Sequence, residues 1–251
     1  MSELPAVPTD PDAPAHLSTS APPHPRTLAP VTALAEVLLC SSVPTQLAIG
    51  GLLGMAGWEM SLTSLPFVMT VALGDTLLLI TMMIVLMRFH GESASRLWIG
   101  DRPLKREVVL GLLHVPLLII GANLLLNAIR LFAPSLHNVE VNPFEQLAAS
   151  PLEGAALAVV VIFAGGVKEE LQRAFLLHRF EHHLGGARVG AVVVSVLFGL
   201  AHYTQGWDAA IVVGGIGFFW GVIYLRRRST VAPIVSHATF DLLQVVTAAA
   251  R

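Results

Sequence analysis

Followed for where apolar residues run and where polar ones interrupt them, the chain divides into two unlike parts. Residues 1–30 hold Pro5, Pro8, Pro11, Pro14, Pro22, Pro23, Pro25 and Pro30 among Ser, Thr, Ala and acids, with almost no bulky apolar side chain. Such a segment cannot bury enough surface to offset its ordering entropy, so a disordered tail is expected. It does not read as a signal peptide, because its start is acidic and no apolar run begins before about residue 31. Beyond it, apolar stretches long enough to cross about 30 Å of hydrocarbon recur. They lie near 33–57, 65–88, 107–132, 152–178, 188–205, 208–226 and 229–250. Gly50, Gly51, Gly54, Pro116, Gly214, Gly215, Gly217 and Pro233 interrupt some of them. Membrane helices tolerate this, since neighbouring helices satisfy the freed backbone. The pattern predicts an all-α, polytopic membrane helix bundle of about seven transmembrane helices behind the tail. Residues 31–150 form its N-terminal helices and 151–251 its C-terminal ones.

The cations then orient the bundle. Arg88, Arg96, Arg102, Lys105 and Arg106 follow the second stretch, Arg179 and Arg188 the fourth, and Arg226, Arg227 and Arg228 the sixth. The connections 58–64, 133–151 and 203–208 carry no Lys or Arg. By the positive-inside rule the N-terminus faces the cytoplasm and the C-terminus the outside, in a bacterial-type inner (plasma) membrane. Composition agrees. Of 251 residues 54% are hydrophobic and 13% charged, against about 25% charged in a soluble domain. Mean hydropathy is +0.70. A formal net charge of −2 implies no basic surface for nucleic acid. The single cysteine, Cys40, excludes an internal disulfide and multi-cysteine zinc modules.

Against this background a few ionisable residues stand inside apolar sequence, where each costs free energy and is a functional candidate. Asp75 interrupts the second stretch, with a helix-packing hydrogen bond as its default role. In KEELQRAFLLHRF, Glu169 and Glu170 lie four and three residues before Arg173, so on a helix both carboxylates can reach one guanidinium. His202 follows Phe198 by one helical turn, and His237 and Asp241 are again i,i+4. A carboxylate one turn from a histidine orients its ring or shares a metal with it. Taken singly, each group also reads as an interfacial ion pair or a polar stitch between helices. Taken together, acids and histidines on three helices are the inventory for activating water. His178, His182 and His183 read as solvated residues at a basic turn rather than a metal cluster. Met82, Met83 and Met87 read as packing or lipid-facing residues.

At these residues the sequence resembles the CPBP family of intramembrane proteases, the group named for CAAX-protein and bacteriocin-processing enzymes, which includes Abi-like members. That family shows EExxxR, FxxxH and HxxxN or HxxxD, in this order, on separate membrane helices. Phe198…His202 is similar to the second motif and His237…Asp241 to the third. The first departs: Glu169-Glu170-Leu171-Gln172-Arg173 has two residues before Arg where the family has three. Aligned on Arg173 instead of on the paired acids, Lys168 stands where the first Glu should be. The paired-acid alignment is favoured here, with Glu169 as base and Glu170 held by Arg173.

The resemblance implies peptide hydrolysis within the membrane. Glu169, helped by His202, would activate water, and His237 with residue 241 would stabilise the oxyanion. Asp241 raises a difficulty, because an ionised carboxylate accepts hydrogen bonds and cannot donate one. It therefore either carries a proton, orients His237, or joins Glu169, His202 and His237 in holding a divalent metal such as Zn. Metal-independent glutamate chemistry ranks slightly ahead, there being no HExxH helix. The implied partners are membrane lipid and a peptide or membrane-protein substrate, prenylated or bacteriocin-like. Two other classes compete. One is a non-catalytic membrane scaffold or immunity protein, suggested by the altered first motif. The other is a cation or solute transporter, opposed by the concentration of ionisable groups in the second half. By depth along their stretches Glu169 and His202 also mismatch, and a fourth helix running on past Arg173 removes the mismatch.

Overall fold

The computed structural model describes residues 28–249, all of their regular structure being helical. The segment read as a tail falls almost wholly outside the described residues. Helices α1 (Pro30–Leu39), α2 (Val43–Met55), α3 (Leu65–Phe89), α4 (Ala94–Trp98) and α5 (Leu104–Phe132) make up the N-terminal part. Helices α6 (Pro151–His183), α7 (Ala187–Ala201), α8 (Trp207–Arg227) and α9 (Val231–Ala249) follow. Six segments are long and apolar enough to cross a membrane, counting Pro30–Met55 as one; α7 is a shorter apolar helix. The protein is an integral membrane protein.

The structure corrects two of the expected spans. The first, 33–57, is broken at Cys40–Ser42 into α1 and α2. Ser42 takes a left-handed conformation with φ of 68°, and Pro44 sits in the first turn of α2, where its missing N–H costs nothing. The fifth, 188–205, stops at Ala201. A 3-10 turn at Tyr203–Gln205 and Gly206 at φ 109° end it, leaving about 22 Å of helix at 1.5 Å per residue.

Helix α6 is the spine of the site. Ser150 opens it by accepting from the Glu153 N–H and donating to the Glu153 carboxylate at 2.9 Å, with Pro151 at the first position. It then runs without interruption to His183 through a π-helical segment, Val161–Glu169. Such insertions recur at functional sites because they rotate the following side chains relative to a regular helix. Here the rotation falls immediately before Glu170.

Leu79, Met83, Met87, Phe175 and Leu177 are fully buried where α3, α6 and α7 meet. Met82 packs at the edge of this cluster, so the methionines are packing residues. Leu52, Leu77, Leu113, Leu124 and Leu131 remain exposed on the outside of the bundle, as lipid-facing residues do. In lipid, apolar burial drives helix association little, and close backbone approach and polar contacts carry more of it. Gly199 shows the first: a Cβ there would stand 2.6 Å from the Ala210 carbonyl oxygen, so α7 and α8 approach only because it is glycine.

The connections sort to two ends. At one, Arg228 pairs with Glu181 at 2.6 Å, Arg179 with Glu92 at 2.7 Å, and Thr230 donates to the Trp98 carbonyl at 2.8 Å. At the other, Arg130 and His137 meet Asp208 at 2.9 and 2.8 Å, and Asn138 accepts from the Trp207 N–H.

Candidate active site

Helices α6 and α9 bring five of the expected residues, Glu169, Glu170, Arg173, His237 and Asp241, into one cluster. Glu170 is almost wholly buried, and one of its oxygens serves two partners. That oxygen accepts from the Arg173 guanidinium and lies 2.8 Å from His237 Nδ1. The other ring nitrogen, His237 Nε2, stands 3.3 Å from Asp241 Oδ2 and 3.8 Å from Glu169 Oε2. With Nδ1–H given to Glu170, a bare Nε2 lone pair would face two carboxylates. Ionised carboxylates only accept hydrogen bonds, so both acids stand as acceptors toward this ring nitrogen.

The two glutamates, equivalent in the sequence pattern, are not equivalent in space. Both were expected to reach Arg173, and only Glu170 does. Glu169 points instead between Lys168, whose Nζ is 3.7 Å from Oε1, and His237. Its side chain keeps 20% exposure and that of Asp241 26%, against 1% for Glu170. Glu169 and Asp241 thus form the open edge of the cluster, and Glu170 its closed floor.

Packing fixes the histidine and the arginine. The Trp220 ring stacks on His237 with centroids 3.8 Å apart, and its Nε1–H donates to Ser236 Oγ at 2.9 Å. Arg173 lies over the Phe198 ring at 4.5 Å and near Trp220 at 5.6 Å, a cation between two π faces. Glycines permit the approach of α6 to α9. A Cβ at Gly165 would lie 2.7 Å from Asp241 Oδ2, and one at Gly166 would lie 2.5 Å from the Ala238 Cβ.

His202 sits apart from this cluster. Its Nδ1–H donates to the Phe198 carbonyl at 2.8 Å, and its ring lies 4.7 Å from the Phe198 ring. Phe198 in turn meets His237 edge-on at 6.3 Å, so one aromatic ring packs against both histidines. His202 makes no ion pair with Glu169 or Asp241 among the described residues.

For a metal, Glu169, His202, His237 and Asp241 would have to converge. Among the described residues no group of three or more His, Cys, Asp or Glu side chains has that arrangement. His178, His182 and His183 do not form one either. His178 instead lies 3.2 Å from Glu92, and His182 Nδ1 lies 3.0 Å from the His178 carbonyl.

Lys168, Trp220 and Ser236 were not picked out from sequence. Lys168 carried a signal, as a cation inside an apolar run with an unexplained acid, Asp75, in another apolar run. Their side chains pair at 3.3 Å. Trp220 carried none, since its importance lies in which ring it faces.

Residues 151–243 match the model of a known family, described as Type II CAAX prenyl endopeptidase Rce1-like. No curated protein and no solved structure gives a match. The matched region runs from the start of α6 into α9 and contains every residue of the cluster. It also contains the three motifs that resemble those of the CPBP family.

Proposed function

We propose that this protein, Rce1-like over its C-terminal part, is an intramembrane endopeptidase that cleaves CAAX-type peptides with a glutamate-activated water. The observation that carries the reading is the asymmetry of the two glutamates. Glu170 is committed to Arg173 and His237, whereas Glu169 is partly exposed with one oxygen facing His237 Nε2. A general base has to meet the water it deprotonates, and of the two side chains Glu169 is 20% exposed and Glu170 only 1%.

In this mechanism a water sits against Glu169 at the open edge. Glu169 removes its proton as the oxygen attacks the scissile carbonyl carbon. His237, fixed by Glu170 below and Trp220 above, donates from Nε2 to the developing oxyanion, which preorganised donors stabilise without rearrangement. His202 approaches the substrate from beyond Phe198. The proton held on Glu169 passes to the leaving amine, and Glu169 is again ionised. Asp241 orients His237 and shares its proton. Substrate enters from the bilayer, with the cation-rich end of the bundle in the cytoplasm.

The test is cleavage of synthetic CAAX-type peptides, prenylated and unprenylated, by purified protein in lipid, with and without a chelator. Glu169→Ala, His202→Ala and His237→Ala should each abolish cleavage in protein that still inserts and folds. Full activity in all three variants refutes the reading. Inactivity of the unaltered protein on every peptide favours the scaffold, and loss of activity to the chelator alone shows that a metal takes part.

A further inference from the structure

On the side of Glu169 away from His237 lies a second charged pair that the hydrolytic chemistry does not use. Lys168 Nζ stands 3.3 Å from Asp75 Oδ2, 3.4 Å from Ser42 Oγ and 3.7 Å from Glu169 Oε1. Asp75 is fully buried and Lys168 nearly so. Thr45 donates to the other Asp75 oxygen, and Gln46 Nε2 donates to Oδ2 at 3.2 Å. The break between α1 and α2 is what brings these groups in. It presents Ser42 to Lys168 and the Cys40 carbonyl to Gln172, which donates to it at 2.7 Å. Ser42, Thr45, Gln46 and Asp75 all lie outside the region that matches the protease family.

We infer that Asp75 and Lys168 are a positioning pair that sets the Glu169 carboxylate between Lys168 and His237, so that the N-terminal helices complete the hydrolytic site. The inference rests on the reading of Glu169 as base. A glutamate side chain has freely rotating bonds and, at an open edge, no reason to keep one oxygen toward His237. A cation on Oε1 supplies that reason and leaves Oε2 for water. Lysine alone would be a poor device, since its flexible ammonium could close onto Glu169 and neutralise it. Asp75 prevents this by holding the ammonium more closely than Glu169 does, with Ser42 as a third contact. An ionisable pair inside the membrane, adjoining the chemistry rather than remote from it, is then a part of the site and not only a stitch between α3 and α6.

The test separates positioning from folding. The double variant Asp75→Asn/Lys168→Met removes both charges and leaves none buried and unpaired. Its unfolding temperature in lipid should stay close to that of the unaltered protein, while kcat for peptide cleavage falls at least tenfold and KM changes less than twofold. Lys168→Arg should retain more turnover than Lys168→Met. Unaltered kcat in a folded double variant overturns the inference. Should that variant not fold, Asp75→Glu keeps the pair and moves the cation by one methylene. A drop in kcat at unchanged unfolding temperature supports the inference, and unchanged kcat overturns it. A third measurement does not depend on turnover. The infrared band of the Glu169 carboxylate, assigned by its loss in Glu169→Gln, should shift in Lys168→Met. A band that does not move overturns the positioning role even if the protein cleaves no peptide, an outcome that would fail the proposed function instead.

Discussion

His237 Nδ1 lies 2.8 Å from the same Glu170 oxygen that receives the Arg173 guanidinium. One buried carboxylate thus anchors α6 to α9 and fixes which face of the imidazole looks toward Glu169. The two adjacent glutamates divide the work between holding and reacting, and this division can be measured.

Glu169→Gln should lower peptide cleavage by about 10²–10⁴-fold, the usual worth of a general base, at an unchanged unfolding temperature. Glu170→Gln should behave differently. It leaves Arg173 buried without its counter-charge, which costs about 3–5 kcal/mol. Its unfolding temperature should therefore fall along with its activity. The reverse pattern would assign the base to Glu170.

Gly165 and Gly166 should tolerate no side chain, for different reasons. A methyl at Gly165 meets the Asp241 carboxylate at 2.7 Å, so Gly165→Ala should reduce cleavage by displacing Asp241 while the protein still inserts. A methyl at Gly166 meets the Ala238 Cα at 2.9 Å and its backbone nitrogen at 3.0 Å. Backbone cannot swing aside, so Gly166→Ala should lower the unfolding temperature more than Gly165→Ala. Equal effects in thermal unfolding would contradict the packing described.

Trp220 serves as a wall for His237 and as a donor to Ser236. Trp220→Phe keeps an aromatic face and loses one hydrogen bond, worth about 1 kcal/mol, and should retain most of the turnover. Trp220→Ala removes the wall, should cost about 3–5 kcal/mol, and should abolish cleavage. Measured kcat for the pair separates the ring from the hydrogen bond.

At the cation-rich end, Glu92 offers a test by pH. Burial works against its charge, but hydrogen bonds from His178 and Arg179 overcome this and hold its carboxyl down at about 2, from an ordinary 4.5. Its folded-state value is the lower one, so its contribution to stability is full above about 4.5 and disappears as pH falls through about 2. Unfolding temperature measured across this range should decline as the pH drops. Glu92→Gln should lower it at neutral pH and flatten the decline. The same end holds Glu36, whose carboxylate reaches Arg179 and His90 at 2.6 Å.

The membrane bundle, the order of its apolar helices, and the candidates on three of its C-terminal helices are legible along the chain. Apolar length, the charge of each connection and a four-residue spacing are properties of linear order and of the helix alone. The break at Cys40–Ser42 is legible only in retrospect, because Pro44 permits a break and does not require one. The distinct fates of Glu169 and Glu170 are not legible at all. Both fall within reach of Arg173 on an ideal helix, and the choice is made by the π-helical segment that ends at Glu169 and by α9 against Gly165 and Gly166. Asp75 and Lys168 are ninety-three positions apart in sequence and meet only when α3 packs on α6. His202 had the spacing of a partner to the base, and in the structure it bonds the Phe198 carbonyl and packs on the Phe198 ring instead. Linear order thus settles which residues are apolar enough to enter the membrane and which charged ones must find partners there. The partners themselves come from packing, because a buried charge is satisfied by whatever the neighbouring helices bring within a few ångströms, and that depends on helix rotation rather than on position in the chain.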